Sequence, residues 1–180
     1  MENAALVVID VQIGAFDGKA MAPIHSGDDL LDRASRLIAA ARAAKLPVIF
    51  VQHCANEGQL LMKGSQAWEL HPKIQLNPNE PIVYKRQSSA FNDTGLHKML
   101  QQLNVDTIIS CGIQSEHCVS NTSIAALDLG MNVIVAGDAH STLSTDDDTA
   151  ETIIARQNKV LADRGAAVQG TAEILEHLSA

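Results

Sequence analysis

Aromatic side chains are scarce in this sequence, because Phe, Tyr and Trp together make up only 3% of its 180 residues. The core must therefore be built from Ala, Val, Ile and Leu, and a hydrophobic content of 46% excludes a disordered chain. No apolar run approaches the roughly 18 residues of a membrane span. The opening residues, MENAALVVID, have no basic segment ahead of an apolar one, so no signal peptide is predicted.

Positive charge is also in short supply, with 13 Lys and Arg against 21 Asp and Glu and a net charge of −8. This balance argues against binding to nucleic acid or to an anionic membrane, since both attract a basic surface. Only three cysteines occur, Cys54, Cys111 and Cys118, and no two of them form a CxxC pair. We therefore predict a soluble, cytoplasmic protein with reduced thiols and no disulfide framework.

Short apolar runs alternate with longer stretches of helical spacing, and the length predicts one domain over residues 1–180. The predicted strands are 4–10, 47–53, 81–85, 105–112, 131–138 and a weaker 166–169. The predicted helices are 28–45, 94–103, 118–129, 146–164 and 171–178. This alternation predicts an α/β fold of βαβ units, in which helices cover both faces of a parallel sheet. Segment 54–79 is the longest irregular stretch, and loops of that length are often functional.

Polar residues end several of the predicted strands. Asp10, His53, Lys85 and Asp138 are the last residues of four of them, and the turn 112–116 follows another. In an open parallel sheet, ligands bind beyond the carboxyl ends of the strands. These positions are therefore the candidates for a functional site.

Three of the candidate side chains form a coherent nucleophilic site. Cys118 lies near the start of a predicted helix, where the helix dipole and the nearby Lys85 ammonium should lower the thiol pKa. Asp10 would accept the thiol proton, and backbone N–H groups of the turn 112–116 would hold an oxyanion. Each residue also has an ordinary alternative: a turn residue for Asp10, a lysine reaching water for Lys85, and a small buried side chain for Cys118.

A competing arrangement uses histidine as the base. His117 directly precedes Cys118, so on a helix their side chains diverge by about 100°. His140, oriented by Asp138, is the better candidate for a Cys–His–Asp site. That arrangement leaves Asp10 and Lys85 without a role, and we expect Asp138 instead to anchor the loop after the fifth strand. Cys111, inside a buried strand, is expected to be inert.

Four stretches in this order resemble the isochorismatase-like cysteine hydrolases along nearly the whole chain. The stretches are VVIDVQ, YKRQSSAFNDTGL, CGIQSEHCVSNT and GDAHST. The resemblance implies a three-layer α/β/α fold with a six-stranded parallel sheet, and a catalytic Asp10–Lys85–Cys118 triad. It also implies a cis peptide bond between Ile113 and Gln114, with the N–H groups of Gln114 and Cys118 forming an oxyanion hole. Ser115 stands where Thr is commoner in the family, which keeps the hydroxyl.

The resemblance also bears on the reaction, because such proteins hydrolyse amides, ureido groups or the vinyl ether of isochorismate. True isochorismatases typically lack the nucleophilic cysteine, so Cys118 favours hydrolysis of a C–N bond through a thioester. A vinyl-ether hydrolase and a catalytically inactive small-molecule-binding member of the fold remain alternatives. The resemblance further implies a homo-oligomer, a dimer or a tetramer, with no cofactor.

The predicted pocket takes a small-molecule substrate. The residues predicted to contact it are Phe16, His53, Trp68, Phe91 and Ile113. Nicotinamidases of similar fold carry a D-x-H metal motif after the second strand, where this chain reads VQHC, so no metal is predicted. His53, Cys54 and His71 are the residues that could otherwise meet a zinc ion.

Two other protein classes fit the sequence poorly. A nucleotide-binding module is disfavoured because there is neither a G-x-G-x-x-G motif nor a Walker loop. A signalling receiver domain needs paired acidic residues after the first strand, where this chain has Asp10 alone.

Overall fold

A computed structural model describes residues 3–19 and 21–179, and within those ranges it contains six strands and five α-helices. The strands are β1 (Ala4–Ile9), β2 (Val48–His53), β3 (Ile82–Lys85), β4 (Thr107–Ile113), β5 (Asn132–Ser141) and β6 (Ala167–Gln169). The helices are α1 (Gly27–Ala43), α2 (Leu96–Gln102), α3 (Ser120–Asp128), α4 (Ala150–Asp163) and α5 (Thr171–Ser179). None of the helices in the described ranges has the length and apolarity that a membrane crossing needs.

The six strands form one all-parallel sheet in the order β3-β2-β1-β4-β5-β6. Every residue of β1 is buried, as expected for an apolar strand at the centre of a parallel sheet. Its side chains alternate between two cores: Leu6 and Val8 belong to the core containing α1 and α5 residues, whereas Val7 and Ile9 belong to the core containing α2, α3 and α4 residues. The predicted α/β fold, with helices on both faces of a six-stranded parallel sheet, is confirmed.

The order of the strands reverses between β1 and β4, which places a crevice at their carboxyl ends. Gly112 allows β1 and β4 to approach closely there. It pairs with Ile9, has a φ of +123°, and has no room for a side chain because a Cβ would overlap the carbonyl oxygen of Ile9. The residues after these two strands, Asp10 and Gln114, therefore lie at one rim.

The fifth strand is longer than predicted. Ser110 pairs with Val135, yet Gly112 pairs with His140, so the intervening β5 residues bulge and the strand then continues to Ser141. Asp138 therefore lies inside β5 and not at its end, which corrects the predicted boundary. The predicted third helix also differs, because a π-helical turn, Ser115–Val119, precedes α3.

Candidate active site

Asp10, Lys85 and Cys118, called the triad below, converge at the carboxyl ends of β1, β3 and β4. Lys85 Nζ lies 2.7 Å from Asp10 Oδ2 and donates a hydrogen bond to Cys118 Sγ at 3.2 Å. The same ammonium donates to the carbonyl oxygen of Gln87 at 3.1 Å. The lysine is only 1% exposed, so these contacts replace water around its charge.

Local backbone structure sets the direction of each triad side chain. Asp10 follows β1 with a φ of +52°, a left-handed conformation that turns the chain at the strand end. Lys85 is the last residue of β3. Cys118 lies in the π-helical turn after β4, and the peptide bond between Ile113 and Gln114 just before that turn is cis.

The electrostatics of the triad favour a protonated thiol at rest. Burial and the neighbouring Asp10 carboxylate raise the pKa of Cys118 to about 11, although Lys85 acts in the opposite direction. The predicted lowering of this thiol pKa is therefore wrong, because burial and Asp10 outweigh the lysine. Burial raises the pKa of Asp10 despite the opposing influence of Lys85. Burial alone would lower the pKa of Lys85, but Asp10 and Cys118 outweigh it and raise that pKa.

A cavity of about 430 Å³, called the site cavity below, opens onto Asp10 and Cys118. Its other lining residues come from the loops that follow β1, β2, β3 and β4 and from the ends of β2 and β4: Gln12, Ala15, Met21, His53, Leu61, Ser88, Ile113, Gln114 and His117. Two residues predicted to contact substrate, His53 and Ile113, are thus brought to the cavity. A volume of this size suits a small organic molecule.

Comparisons with known proteins identify the family of the chain. The model of the isochorismatase domain matches residues 4–173. The chain belongs to the isochorismatase family of hydrolases. Streptothricin hydrolase from Streptomyces noursei is 36% identical over 138 residues, 77% of this chain and 49% of that protein. The chain spans about half the length of the two streptothricin hydrolases that it matches.

Two further isochorismatase-family proteins resemble the chain over most of their length. The isochorismatase family protein YecD of Escherichia coli O157:H7 is 33% identical, and the match covers 81% of this chain and 83% of that protein. The solved structure of an isochorismatase from Pseudomonas putida KT2440 is 30% identical, with a TM-score of 0.88, and covers 95% of this chain and 89% of that one. The family resemblance predicted from the motifs is therefore confirmed.

Gln12 is a structural residue of this isochorismatase-family site that the sequence analysis missed. Its amide nitrogen donates to the carbonyl oxygens of His53, at 3.1 Å, and Trp68, at 2.8 Å, and its amide oxygen accepts from the His53 N–H at 2.9 Å. The side chain thereby ties the end of β1 to the end of β2 and to the loop beyond it. The polar residue that ends the stretch VVIDVQ, two positions after Asp10, was the available signal.

His53 lies against the triad. Its Nδ1 is 3.4 Å from Lys85 Nζ. Burial and the Lys85 charge lower the pKa of His53, so its ring is neutral near pH 7.

The three aromatic residues predicted to contact substrate lie outside the lining of the site cavity. Phe16 packs on His71, with ring centroids 5.1 Å apart, and Phe91 packs on His97 at 6.4 Å. Trp68 stacks on Tyr84 at 5.8 Å. Of their packing partners, His71 lies in the long loop after β2, Tyr84 in β3 and His97 in α2, and none of the three predicted rings is among the cavity lining, which corrects their predicted placement there.

Behind the π-helical turn, a series of hydrogen bonds joins the buried Ser115 and His140 to the half-buried Asn158. Ser115 Oγ and Asn158 Oδ1 each lie 2.8 Å from a different ring nitrogen of His140, and Asn158 Nδ2 donates to the Gly137 carbonyl oxygen. Asn158 Oδ1 must therefore accept from Nε2–H, which leaves Nδ1 to accept from the serine hydroxyl. Burial lowers the pKa of His140, consistent with a neutral ring.

The hydrogen bonds of His140 bear on the alternative of a Cys–His–Asp site. Both ring nitrogens of His140 are engaged by Ser115 and Asn158, not by Cys118 or Asp138. Asp138 Oδ1 instead accepts hydrogen bonds from the N–H and the hydroxyl of Thr171, at the start of α5.

Within residues 3–19 and 21–179, no group of three or more His, Cys, Asp or Glu is placed to hold a metal ion. The candidate zinc ligands have separate partners: His53 lies beside Lys85, Cys54 Sγ accepts from the Trp68 indole at 3.3 Å, and His71 packs on Phe16. Cys111 is fully buried, and burial raises its thiol pKa to about 12.

Proposed function

We propose that the chain is a cysteine-dependent hydrolase that cleaves a C–N bond of a small amide, carbamoyl or ureido compound. The observation that carries the proposal is the single Lys85 ammonium within 2.7 Å of Asp10 and 3.2 Å of Cys118, beside a cavity that reaches both. A nucleophile, a proton acceptor and a positive charge are the groups that acyl transfer through a thioester requires.

In the first half of the proposed reaction, Cys118 is the nucleophile. Its proton passes to Asp10 as the sulfur attacks the substrate carbonyl carbon and forms a C–S bond. The N–H groups of Gln114 and Cys118 hold the resulting oxyanion. The C–N bond then breaks, and the leaving nitrogen takes the proton from Asp10, which leaves a thioester.

In the second half, water resolves the thioester. Asp10 takes a proton from the attacking water, the C–S bond breaks, and the thiol regains a proton as the acid product leaves. Lys85 stays protonated throughout and balances the negative charge as it moves between carboxylate and sulfur. The protonated resting thiol fits this scheme, since Asp10 can remove its proton only as attack occurs.

The test is a screen of small amides, carbamoyl compounds and ureides for release of ammonia or amine. The name of the related streptothricin hydrolase makes streptothricin one compound to include. With any hydrolysed compound, Cys118→Ala should lower kcat by at least about a thousandfold, and rapid quenching followed by mass spectrometry should detect an acyl adduct on Cys118. Cys111→Ala is the matched control and should retain turnover. Substantial turnover by Cys118→Ala would exclude covalent catalysis.

A further inference from the structure

The described lining of the site cavity includes one acidic side chain, Asp10, and no basic one apart from histidine. Among its described lining residues none is Lys or Arg, and its apolar wall is formed by Ala15, Met21, Leu61 and Ile113. Residues 1, 2, 20 and 180, outside the described ranges, are Met, Glu, Ala and Ala, so they add no positive side chain. The wall therefore offers a bound molecule apolar contact and no cation.

The nearest cation, Lys85, has no capacity left for a substrate carboxylate. An ammonium has three N–H donors. Here it already faces Asp10 Oδ2, the Gln87 carbonyl oxygen and Cys118 Sγ, all within 3.2 Å. Its charge is also balanced by Asp10, so the pair presents no net positive charge to the cavity.

The His53 ring does not supply the missing charge, and His117 faces an anionic neighbour of its own. The His53 ring is neutral because burial and Lys85 lower its pKa. The His117 side chain is 61% exposed at the rim and lies 3.8 Å from the Glu116 carboxylate. An anionic group in the cavity would lose its water without gaining a cationic partner, in a chain whose net charge is already −8.

We propose that the site cavity selects an uncharged, apolar acyl group and rejects acyl groups that carry a carboxylate. The inference rests on the proposed function, since it assigns the substrate class of the same site. In this proposal Leu61, an apolar lining residue from the long loop after β2, is the specificity-determining residue.

Thiol-directed probes test the charge selection without requiring turnover. The probes are N-propyl-2-chloroacetamide, N-chloroacetyl-β-alanine and N-(2-aminoethyl)-2-chloroacetamide, which differ mainly in ending as methyl, carboxylate or ammonium. In each reaction Cys118 sulfur forms a bond to the CH2 carbon, the C–Cl bond breaks, chloride leaves with the electron pair, and Asp10 takes the thiol proton. Rates at Cys118 are read by intact and peptide mass spectrometry and divided by the rates of the same probes with glutathione.

After this correction, we expect the carboxylate probe to react at least about tenfold more slowly than the neutral probe, the penalty for desolvating an unpaired anion. We expect Leu61→Lys to raise the relative rate of the carboxylate probe at least about fivefold by supplying the missing cation. The matched control is Leu76→Lys, which makes the same change of net charge at a leucine that is 38% exposed and outside the cavity lining. Leu76→Lys should leave the ratio of the carboxylate-probe rate to the neutral-probe rate unchanged.

Each other outcome overturns a defined part of the proposal. A carboxylate probe that reacts within about threefold of the neutral one overturns charge selection, whereas an ammonium probe faster than the neutral one overturns the preference for an uncharged group. If Leu61→Lys raises the relative rate of the carboxylate probe no more than Leu76→Lys does, the role of Leu61 is overturned. Failure of all three probes to modify Cys118 would instead contradict the proposed function, since the thiol would then be out of reach.

Discussion

Lys85 Nζ donates a hydrogen bond to Cys118 Sγ at 3.2 Å, although the cysteine is a protonated thiol whose pKa is raised to about 11. In the proposed reaction, the lysine stabilises the thiolate that forms when the proton leaves. Two opposing charges, the Asp10 carboxylate and the Lys85 ammonium, act on the thiol pKa. Removing each charge separately should therefore have opposite effects on the thiol.

Removing the negative charge should make the thiol easier to ionise but stop turnover. In Asp10→Asn the carboxylate that raises the pKa of Cys118 is lost while Lys85 remains, so we expect iodoacetamide to label Cys118 at least about tenfold faster at pH 7. Hydrolysis should be lost in the same variant, because no group can carry the proton to the leaving nitrogen. Labelling is followed by peptide mass spectrometry. Slower labelling of Asp10→Asn would contradict this account of the raised pKa.

Removing the positive charge should slow both reactions. In Lys85→Met the group that lowers the pKa of Cys118 is lost, so labelling of Cys118 should fall at least about tenfold along with hydrolysis. As a control for intrinsic thiol reactivity, wild type and Lys85→Met are also labelled after unfolding in urea, where the two should react at the same rate. If native Lys85→Met labels as fast as wild type, the lysine has no electrostatic role at the thiol.

The pH dependence of kcat/KM should reflect Asp10. The base must be deprotonated, and burial raises the pKa of Asp10 above its ordinary value of 3.8. The value of kcat/KM should therefore be low below the raised pKa of Asp10 and increase as pH rises through it, along an acid limb centred above pH 3.8. Hydrolysis measured across pH 3 to 9, on enzyme shown by circular dichroism to stay folded, locates the limb. A limb centred below 3.8 would mean that another group is the base.

The hydroxyl of Ser115 should matter for catalysis more than for stability. Ser115→Ala removes the hydrogen bond to His140 that holds the turn bearing Cys118, so we expect kcat to fall roughly 10- to 100-fold and stability to fall by about 1 to 2 kcal/mol. Ser110, whose hydroxyl lies 3.0 Å from Ser123 Oγ, is an equally buried control. Ser110→Ala should show a similar loss of stability in urea unfolding with kcat unchanged. Equal kcat losses in the two variants would remove any special role for the Ser115 contact.

Gly112 should tolerate no side chain. Gly112→Ala would force the new Cβ into the Ile9 carbonyl oxygen at a φ of +123°, so we expect a loss of more than about 3 kcal/mol of unfolding free energy, or insoluble protein. Gly130 also has a positive φ, +79°, but a Cβ there meets nothing within 4 Å. Gly130→Ala should cost only about 1 kcal/mol. Urea denaturation compares the two, and similar losses would show that the contact with Ile9 is unimportant.

Sequence reasoning could place the triad at one rim because parallel strands end on one side of a sheet, whatever the details of packing. It could not give the thiol pKa, which depends on how deeply Cys118 is buried and how near Asp10 lies. The packing of Phe16, Trp68 and Phe91 was equally out of reach, since loop residues choose among several neighbours. The roles of the triad and the oligomeric state stay predictions.

The bulge in β5 shows a second limit of sequence patterns. The apolar run ends near Asp138, and nothing in the residue types indicates that the strand re-enters the sheet and pairs His140 with Gly112. The link from His140 to Ser115 depends on that register, so it could be found only in three dimensions.

Of the three strands that carry the triad, β3 is at the margin of the sheet and is paired only with β2 among the described strands. Hydrogen bonds at such a margin open more readily than those beside β1 in the centre. Lys85 ends this marginal strand, whereas Asp10 follows the central strand β1, so we expect the Lys85 side of the site to open before the Asp10 side. Warming should therefore abolish the proposed hydrolysis while most of the secondary structure is still intact.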